Sequence, residues 1–252
     1  MVRNERRAAL IPYLTAGFPD PAGAVDAMRM VAAAGADFVE VGVPFSDPLA
    51  DGVTIQRSTQ AALDQGMTVP RVLEQITRAA LDIPVVIMTY LNPVMAYGVE
   101  RFLSDAESAG ASGLLLTDFP AGADPALDAR VAASRLALIR LVAPTTRPER
   151  LKLAVRNASG FIYLISRLGV TGAQQEVPAD LAEHVSRVRA VTPLPVAVGF
   201  GIGTAAQARA TARVADGVVV GSALVDALAR GGIGAAERLM RELAAAVCEE
   251  QR

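Results

Sequence analysis

Short apolar runs and longer amphipathic segments alternate along the chain. The apolar runs are rich in Val, Ile and Leu and begin near residues 9, 37, 84, 113, 137, 161, 195 and 217. Each run has the length of one strand and lacks strict apolar/polar alternation, which is typical of strands covered on both faces. The segments between the runs have helical spacing, and several of them end in Ala-Gly, the usual stop of a helix.

The number of these units indicates the architecture. Eight strands, each followed by a helix, within 252 residues are the pattern of a (β/α)₈ TIM barrel. A doubly wound open sheet is the structural alternative, but eight units favour the barrel, and no break in composition marks a second domain. The sequence therefore predicts one α/β barrel domain over residues 1–252, with its functional site where the strands end.

Composition argues against several classes of partner. A net charge of −2 and an aromatic content of 4% provide neither the basic patch nor the stacking platform that nucleic-acid binding uses. No apolar run reaches the length of a membrane span, and the first residues do not resemble a signal peptide, so we expect a cytoplasmic protein. The single cysteine, Cys248, excludes a disulfide within the chain.

Glu40 stands inside the apolar run "DFVEVGV", on the strand face opposite to Val39 and Val41. A carboxylate in such a strand is costly unless something uses it. Two interpretations are open: a glutamate paired with an arginine at the barrel rim, or a carboxyl of raised pKa that transfers protons near neutral pH. Asp51, in the loop that follows, is either a second polar anchor of the site or an ordinary loop aspartate.

Three later strand ends, "GVTG", "VGFGIG" and "VVGSAL", are rich in Gly, Ser and Thr. In barrels, the loops after strands 7 and 8 often bind phosphate, because glycine lets backbone N–H groups approach an anion and a short helix adds its dipole. Gly201, Gly221 and Ser222 are the candidates, and "SALVDALA" is the predicted short helix. The alternative is that these glycines only form tight turns.

The scarce residues exclude several mechanisms. Lys152 lies in a predicted helix and not at a strand end, where a Schiff-base lysine is needed. His184 is the only histidine and also lies in a predicted helix, so neither a metal cluster nor a histidine-assisted isomerase is expected. What remains is a phosphate-binding barrel without a metal, in which carboxylates act on a substrate that carries its own electron sink.

Six motifs carry a family resemblance that runs from about Ile11 to the last strands. They are "VEVGVPFSDPLADGVTIQ", "MTYLNP", "GLLLTDFP", "YLISRLGVTG", "VGFGI" and "VVVGSA", in this order. With them the chain resembles the alpha subunits of tryptophan synthase. The resemblance implies a (β/α)₈ barrel that splits indole-3-glycerol phosphate into indole and glyceraldehyde 3-phosphate, a retro-aldol cleavage without metal or organic cofactor.

The resemblance also implies roles for individual residues. Glu40 matches the glutamate that transfers protons during cleavage, and Asp51 matches the aspartate that holds the indole N–H. Thr171 belongs to a loop that closes over the substrate and is expected to contact Asp51. The full set of implied substrate-binding residues is Tyr90, Tyr163, Thr171, Gly172, Phe200, Gly201, Gly221 and Ser222.

A partner follows from the same resemblance. Alpha subunits dock on a pyridoxal-phosphate-dependent beta subunit in an α₂β₂ tetramer, and indole passes through a tunnel between them. Pro44, Asp47, Asn92 and Pro93 match the docking surface, and the pyridoxal phosphate is expected in the beta subunit, with no cofactor in this chain. Two other functions stay open: a stand-alone lyase that releases free indole, and a non-catalytic barrel that binds a phosphate ligand.

Overall fold

The computed structural model describes residues 7–165, 177–199 and 201–248. Eight parallel strands follow one another around a closed barrel, in the order of the sequence. Their bounds are β1 Ala9–Thr15, β2 Val39–Gly42, β3 Val85–Thr89, β4 Ala111–Leu116, β5 Ala137–Val142, β6 Ile162–Ile165, β7 Val196–Gly199 and β8 Gly217–Val220. The predicted (β/α)₈ barrel is confirmed, and each strand falls within a predicted apolar run except β4, which starts two residues before its run.

Helices surround the barrel. Those in the described ranges are α1 Pro21–Ala33, α2 Val53–Asp64, α3 Val69–Ala79, α4 Leu91–Tyr97, α5 Val99–Ala109, α6 Pro125–Ala133, α7 Pro148–Ala154, α8 Leu181–Arg189, α9 Ala205–Ala212 and α10 Ser222–Cys248. Two connections hold a pair of helices where one was expected. Gly66 and Gly98 divide these pairs because each has a positive φ, a conformation that glycine adopts at low cost.

The strands are buried on both faces. Side chains that point into the barrel, including Ile11, Leu115 and Ile139, pack together in its interior. Side chains that point outward, including Val39 and Val41, pack between the sheet and the helices. This arrangement explains why the strands lack an apolar/polar alternation, and it places Glu40 on the inward face, as the period of two predicts.

The segment after β8 forms the predicted short helix. α10 starts at Ser222, and a non-helical residue, Gly232, with φ 62° and ψ −164°, divides it from the final amphipathic part. The backbone N–H groups of Leu224 and Val225 donate to the Gly221 carbonyl oxygen at 2.9 and 3.1 Å, so the helix begins directly at the end of the strand.

Among the helices that the structure describes, none is both long enough and apolar enough to cross a bilayer.

Candidate active site

Glu40 lies deep inside the barrel. Its residue is 1% exposed, and neither carboxylate oxygen has a hydrogen-bond partner among the described residues. Burial raises the pKa of Glu40 to about 8. Among the described residues no arginine contacts it, and its neighbours in register are Tyr13 of β1 and Val86 of β3. The described part of the chain therefore gives no support to the rim ion-pair interpretation. The second interpretation, a carboxyl of raised pKa, fits the geometry.

Asp51 lies above it, in the loop between β2 and α2. The Tyr90 hydroxyl holds this loop, because it accepts a hydrogen bond from the Ala50 backbone N–H at 2.9 Å and donates one to the Asp51 carboxylate. Burial raises the pKa of Asp51 to about 6, and the bond from Tyr90 opposes that rise. The Phe45 ring packs on the Tyr90 ring, with centroids 5.3 Å apart. Asp51 is therefore a fixed, partly buried carboxyl and not a free loop residue.

Two further tyrosines flank Glu40 inside the barrel. Tyr13 of β1 lies over Gly42 of β2, and Tyr163 of β6 lies over Gly199 of β7. A Cβ on either glycine would overlap the phenol ring, so each glycine provides the space for its tyrosine. Burial is the main cause that raises the pKa of both phenols, and the charge of Glu40 raises both further.

Tyr13 was not predicted as a site residue. In the run "ALIPYLT" a tyrosine cannot be distinguished from an aromatic residue of the core by periodicity alone. The signal that could have found it is its register: Tyr13 and Glu40 are directly paired on adjacent strands, and both point inward.

The glycine-rich ends of β7 and β8 lie at the same mouth of the barrel, because all eight strands are parallel. Gly201, after β7, has φ +84°, and the space beside its Cα is open. Gly221 and Ser222 follow β8, which pairs with β7. Gly221 lies beside the Tyr13 ring. Three predicted substrate-binding residues, Thr171, Gly172 and Phe200, lie outside the described residues.

The predicted docking residues lie on two adjoining segments, the loop after β2 and helix α4. Asp47 and Asn92 are exposed, Pro93 is half-buried, and Pro44 is buried. The Ser46 hydroxyl donates to the Asp47 carboxylate at 2.6 Å. Large apolar side chains on the same segments also face solvent. They are Leu49, which is 94% exposed, and Met95, which is 54% exposed.

No group of three or more His, Cys, Asp and Glu side chains within the described ranges could hold a metal ion. Lys152 lies in α7 and His184 in α8, which are the helical positions that the sequence predicts. The His184 Nε2 atom is 3.7 Å from the Asp180 carboxylate.

An inward carboxyl of raised pKa, a second carboxyl held above it and glycine-rich loops at the carboxyl ends of eight parallel strands define an acid/base enzyme of the (β/α)₈-barrel class. The family model described as "Tryptophan synthase alpha chain" matches residues 1–251. The chain belongs to this family.

Individual relatives agree with the family model. The tryptophan synthase alpha chain of Gluconacetobacter diazotrophicus is 47% identical, over 97% of this chain and 93% of that protein. A Mycobacterium tuberculosis tryptophan synthase structure superposes with a TM-score of 0.90 at 44% identity, over 98% of this chain and 95% of that one. Tryptophan synthase subunit alpha of Legionella pneumophila gives a TM-score of 0.88 at 32% identity, over 98% and 95%.

Family membership confirms the resemblance found in the sequence. The chain is a lyase of tryptophan biosynthesis, and its reaction is the cleavage of indole-3-glycerol phosphate. The chains of this family work without a resident cofactor, and the name of the enzyme's alpha chain implies a beta subunit as partner.

Proposed function

We propose that Glu40 and Asp51 perform the cleavage of indole-3-glycerol phosphate in this chain by acid/base catalysis. The observation that supports this most is the state of Glu40: buried, without a hydrogen-bond partner among the described residues, and with a pKa raised to about 8. Such a group is mostly protonated at neutral pH, yet it can lose and regain its proton there. It is therefore suited to act as an acid in one step and a base in the next.

The reaction needs both properties. In the first step the Glu40 carboxyl donates its proton to C3 of the indole ring, which becomes a cation. Asp51, with a pKa of about 6, is mostly ionised at neutral pH and accepts a hydrogen bond from the indole N–H. Its negative charge stabilises the cation in a site largely shielded from water.

In the second step the Glu40 carboxylate removes the proton of the side-chain hydroxyl nearest the ring. The C–C bond to the ring breaks, its electron pair returns to the ring system, and the hydroxyl-bearing carbon becomes the aldehyde. Indole leaves with the new hydrogen on C3, and Glu40 is protonated again. No metal or lysine is required, because the protonated ring is the electron sink.

For substrate binding we propose the strand ends of β6, β7 and β8. The open space at Gly201, and the start of α10 beside Gly221 and Ser222, support a phosphate cradle at this place. Tyr90 and Tyr163 line the space above and beside Glu40. For Thr171, Gly172 and Phe200 the proposal rests on the sequence resemblance alone.

We further propose that the chain forms one domain over residues 1–252 and works in the cytoplasm in an α₂β₂ tetramer whose beta subunit holds pyridoxal phosphate. The docking surface consists of the segment 44–53 and helix α4, and it includes Pro44, Asp47, Asn92 and Pro93. The exposure of Leu49 and Met95 on this surface supports it, because large apolar side chains on a monomer surface are typical of a contact with another protein.

The variant Glu40→Gln tests the catalytic proposal. It preserves the shape of the side chain but removes the transferable proton, so indole release should fall about 10²- to 10⁴-fold. Binding of an indole-alkyl phosphate without the reacting hydroxyl should persist. Glu237→Gln, on the exposed face of α10, is the matched control and should release indole at the wild-type rate. Unchanged cleavage by Glu40→Gln would overturn the assignment and favour a non-catalytic binding role for this carboxyl.

A further inference from the structure

Tyr13 has no role in the mechanism described above, although it occupies the centre of the site. It is buried and packs against Ile55 of α2 and Val225 of α10. α2 starts directly after the Asp51 loop, and α10 starts directly after Gly221 at the end of β8. The charges of both Asp51 and Glu40 raise the pKa of its phenol, after the larger effect of burial. Tyr13 is therefore near enough to both carboxyl groups for their charges to act on it.

Hydrogen bonding around Tyr13 is incomplete in one respect. The Thr15 hydroxyl donates to the Tyr13 oxygen at 3.4 Å, so the oxygen acts as an acceptor. This contact is long, and the Thr15 hydroxyl lies closer to the Ser58 hydroxyl, at 2.7 Å. Next to Tyr13, both oxygens of Glu40 lack a donor among the described residues. A buried carboxyl without a partner is costly, and such a group is seldom left so without a functional reason.

The backbone brings these two groups together. Tyr13 and Glu40 are paired residues on β1 and β2, and both side chains point into the barrel. Gly42, the next inward position of β2 toward the mouth, has no side chain, and the Tyr13 hydroxyl occupies that space. The hydroxyl thus lies one layer above Glu40, between it and the mouth through which the substrate enters. Among the described residues, the other titratable group coupled to Glu40 is Tyr163, on β6.

We propose that Tyr13 is a positioning residue for Glu40: its hydroxyl donates a hydrogen bond to the Glu40 carboxylate that forms once the proton has moved to the substrate. This inference rests on the proposed role of Glu40. No bond to Tyr13 breaks and no proton leaves it. The bond stabilises the charged form of Glu40, fixes the oxygen that takes the second proton, and lowers the free energy of the intermediate relative to the resting state.

The test is Tyr13→Phe in the isolated chain, measured as indole release from indole-3-glycerol phosphate across pH. Loss of a donor to the carboxylate raises the pKa of Glu40, so the alkaline limb of kcat should move up by about one pH unit. At neutral pH kcat should fall about tenfold, with KM changed less than about threefold. Ser108→Ala is the control, because it removes a hydroxyl that donates to the Ser104 carbonyl oxygen at 2.9 Å on the exposed face of α5, outside the site and the docking surface. This variant should leave kcat and the alkaline limb unchanged.

A second measurement does not depend on turnover. The pH dependence of binding of an unreactive indole-alkyl phosphate reports the titration of Glu40, because Glu40→Gln removes the part that this residue contributes. In Tyr13→Phe the change in binding affinity that is due to Glu40 should occur at higher pH than in the wild type. A Tyr13→Phe chain that melts like the wild type, with an unchanged alkaline limb and unchanged binding linkage, would overturn the inference. Cleavage by Glu40→Gln at the wild-type rate would instead overturn the proposed function on which it rests.

Discussion

At the scale of the residue, Glu40 carries a stability cost together with its proposed chemistry. Its pKa is raised from 4.5 to about 8 in the folded chain. The folded state therefore binds the proton more tightly than the unfolded state does. The contribution of this proton to the free energy of unfolding is fully present below pH 4.5 and is lost as the pH rises toward about 8.

Glu40→Gln should remove this pH dependence. Because the amide does not ionise, the variant should be more stable than the wild type near neutral pH, by on the order of 2–3 kcal/mol, and the gain should disappear below about pH 4.5. Thermal unfolding at both pH values measures the difference. Glu237→Gln provides the comparison, since Glu237 is exposed in a surface ion pair. An equal pH dependence in the wild type and Glu40→Gln would show that Glu40 is not buried as described.

Glu40 and Tyr13 differ in how well the sequence could predict them as site residues. Glu40 was recognisable because a charged residue in an apolar strand is rare, and its inward direction followed from the period of two. Tyr13 was not recognisable, because a tyrosine fits an apolar strand well. Its importance depends on the space above Gly42, which no sequence pattern displays.

At the scale of the element, a buried ion pair connects α6 to the barrel. Asp128 of α6 pairs with Arg140 of β5, and both are buried. The Arg140 Nη1 atom also donates to the Phe119 carbonyl oxygen at 3.3 Å, and Asn157 Nδ2 donates to Asp128 at 2.7 Å. Burial lowers the pKa of Arg140. The network therefore joins the loop after β4, α6, β5 and the segment after α7.

Replacing one partner of the Asp128–Arg140 pair should lower the free energy of unfolding far more than replacing both partners together. Asp128→Leu leaves the Arg140 charge buried and unpaired, which should lower the free energy of unfolding by about 3–5 kcal/mol. The double variant with Arg140→Met should recover much of this loss. Urea unfolding provides the measurement, with Asp226→Ala, in an exposed pair, expected to cost less than about 1 kcal/mol. Equal costs for Asp128→Leu and Asp226→Ala would contradict the network's structural role.

The elements themselves were only partly predictable. Eight apolar runs located all eight strands, because burial on both faces leaves a strong and simple signal. The apolar pattern does not show that two helices, α2 and α3, share one connection, or that α4 and α5 share another. Their boundaries depend on a single glycine of positive φ in each case. The partner of Arg140 was equally hidden, since an arginine in a strand does not indicate which helix holds its counter-ion.

At the scale of the whole molecule, the proposed docking surface is next to the catalytic loop. Tyr90 precedes α4 and also holds the Asp51 loop. The Leu91 backbone N–H donates to the Asp118 carboxylate at 2.7 Å, which fixes the start of α4. A partner that binds segment 44–53 and α4 would therefore contact the two segments that Tyr90 joins, and Tyr90 orients Asp51. We expect docking to increase turnover for this reason.

Met95→Asp should weaken that effect. A charge in the apolar part of the docking surface disfavours its burial against the beta subunit, so the beta-subunit concentration for half-maximal activation should rise about tenfold or more. The melting temperature should not change, because Met95 is exposed. Gln60→Asp, exposed on α2 and outside the docking surface, serves as the control. An unaltered activation curve for Met95→Asp would place the docking surface elsewhere.

The most direct test is the release of indole from indole-3-glycerol phosphate by the purified chain, with and without a tryptophan synthase beta subunit. We expect slow release by the chain alone and a steep rise when the partner is added. Rapid release that does not change when the partner is added would agree with the proposed reaction and contradict the proposed complex. No release under either condition would contradict the assignment of Glu40 and Asp51 to catalysis.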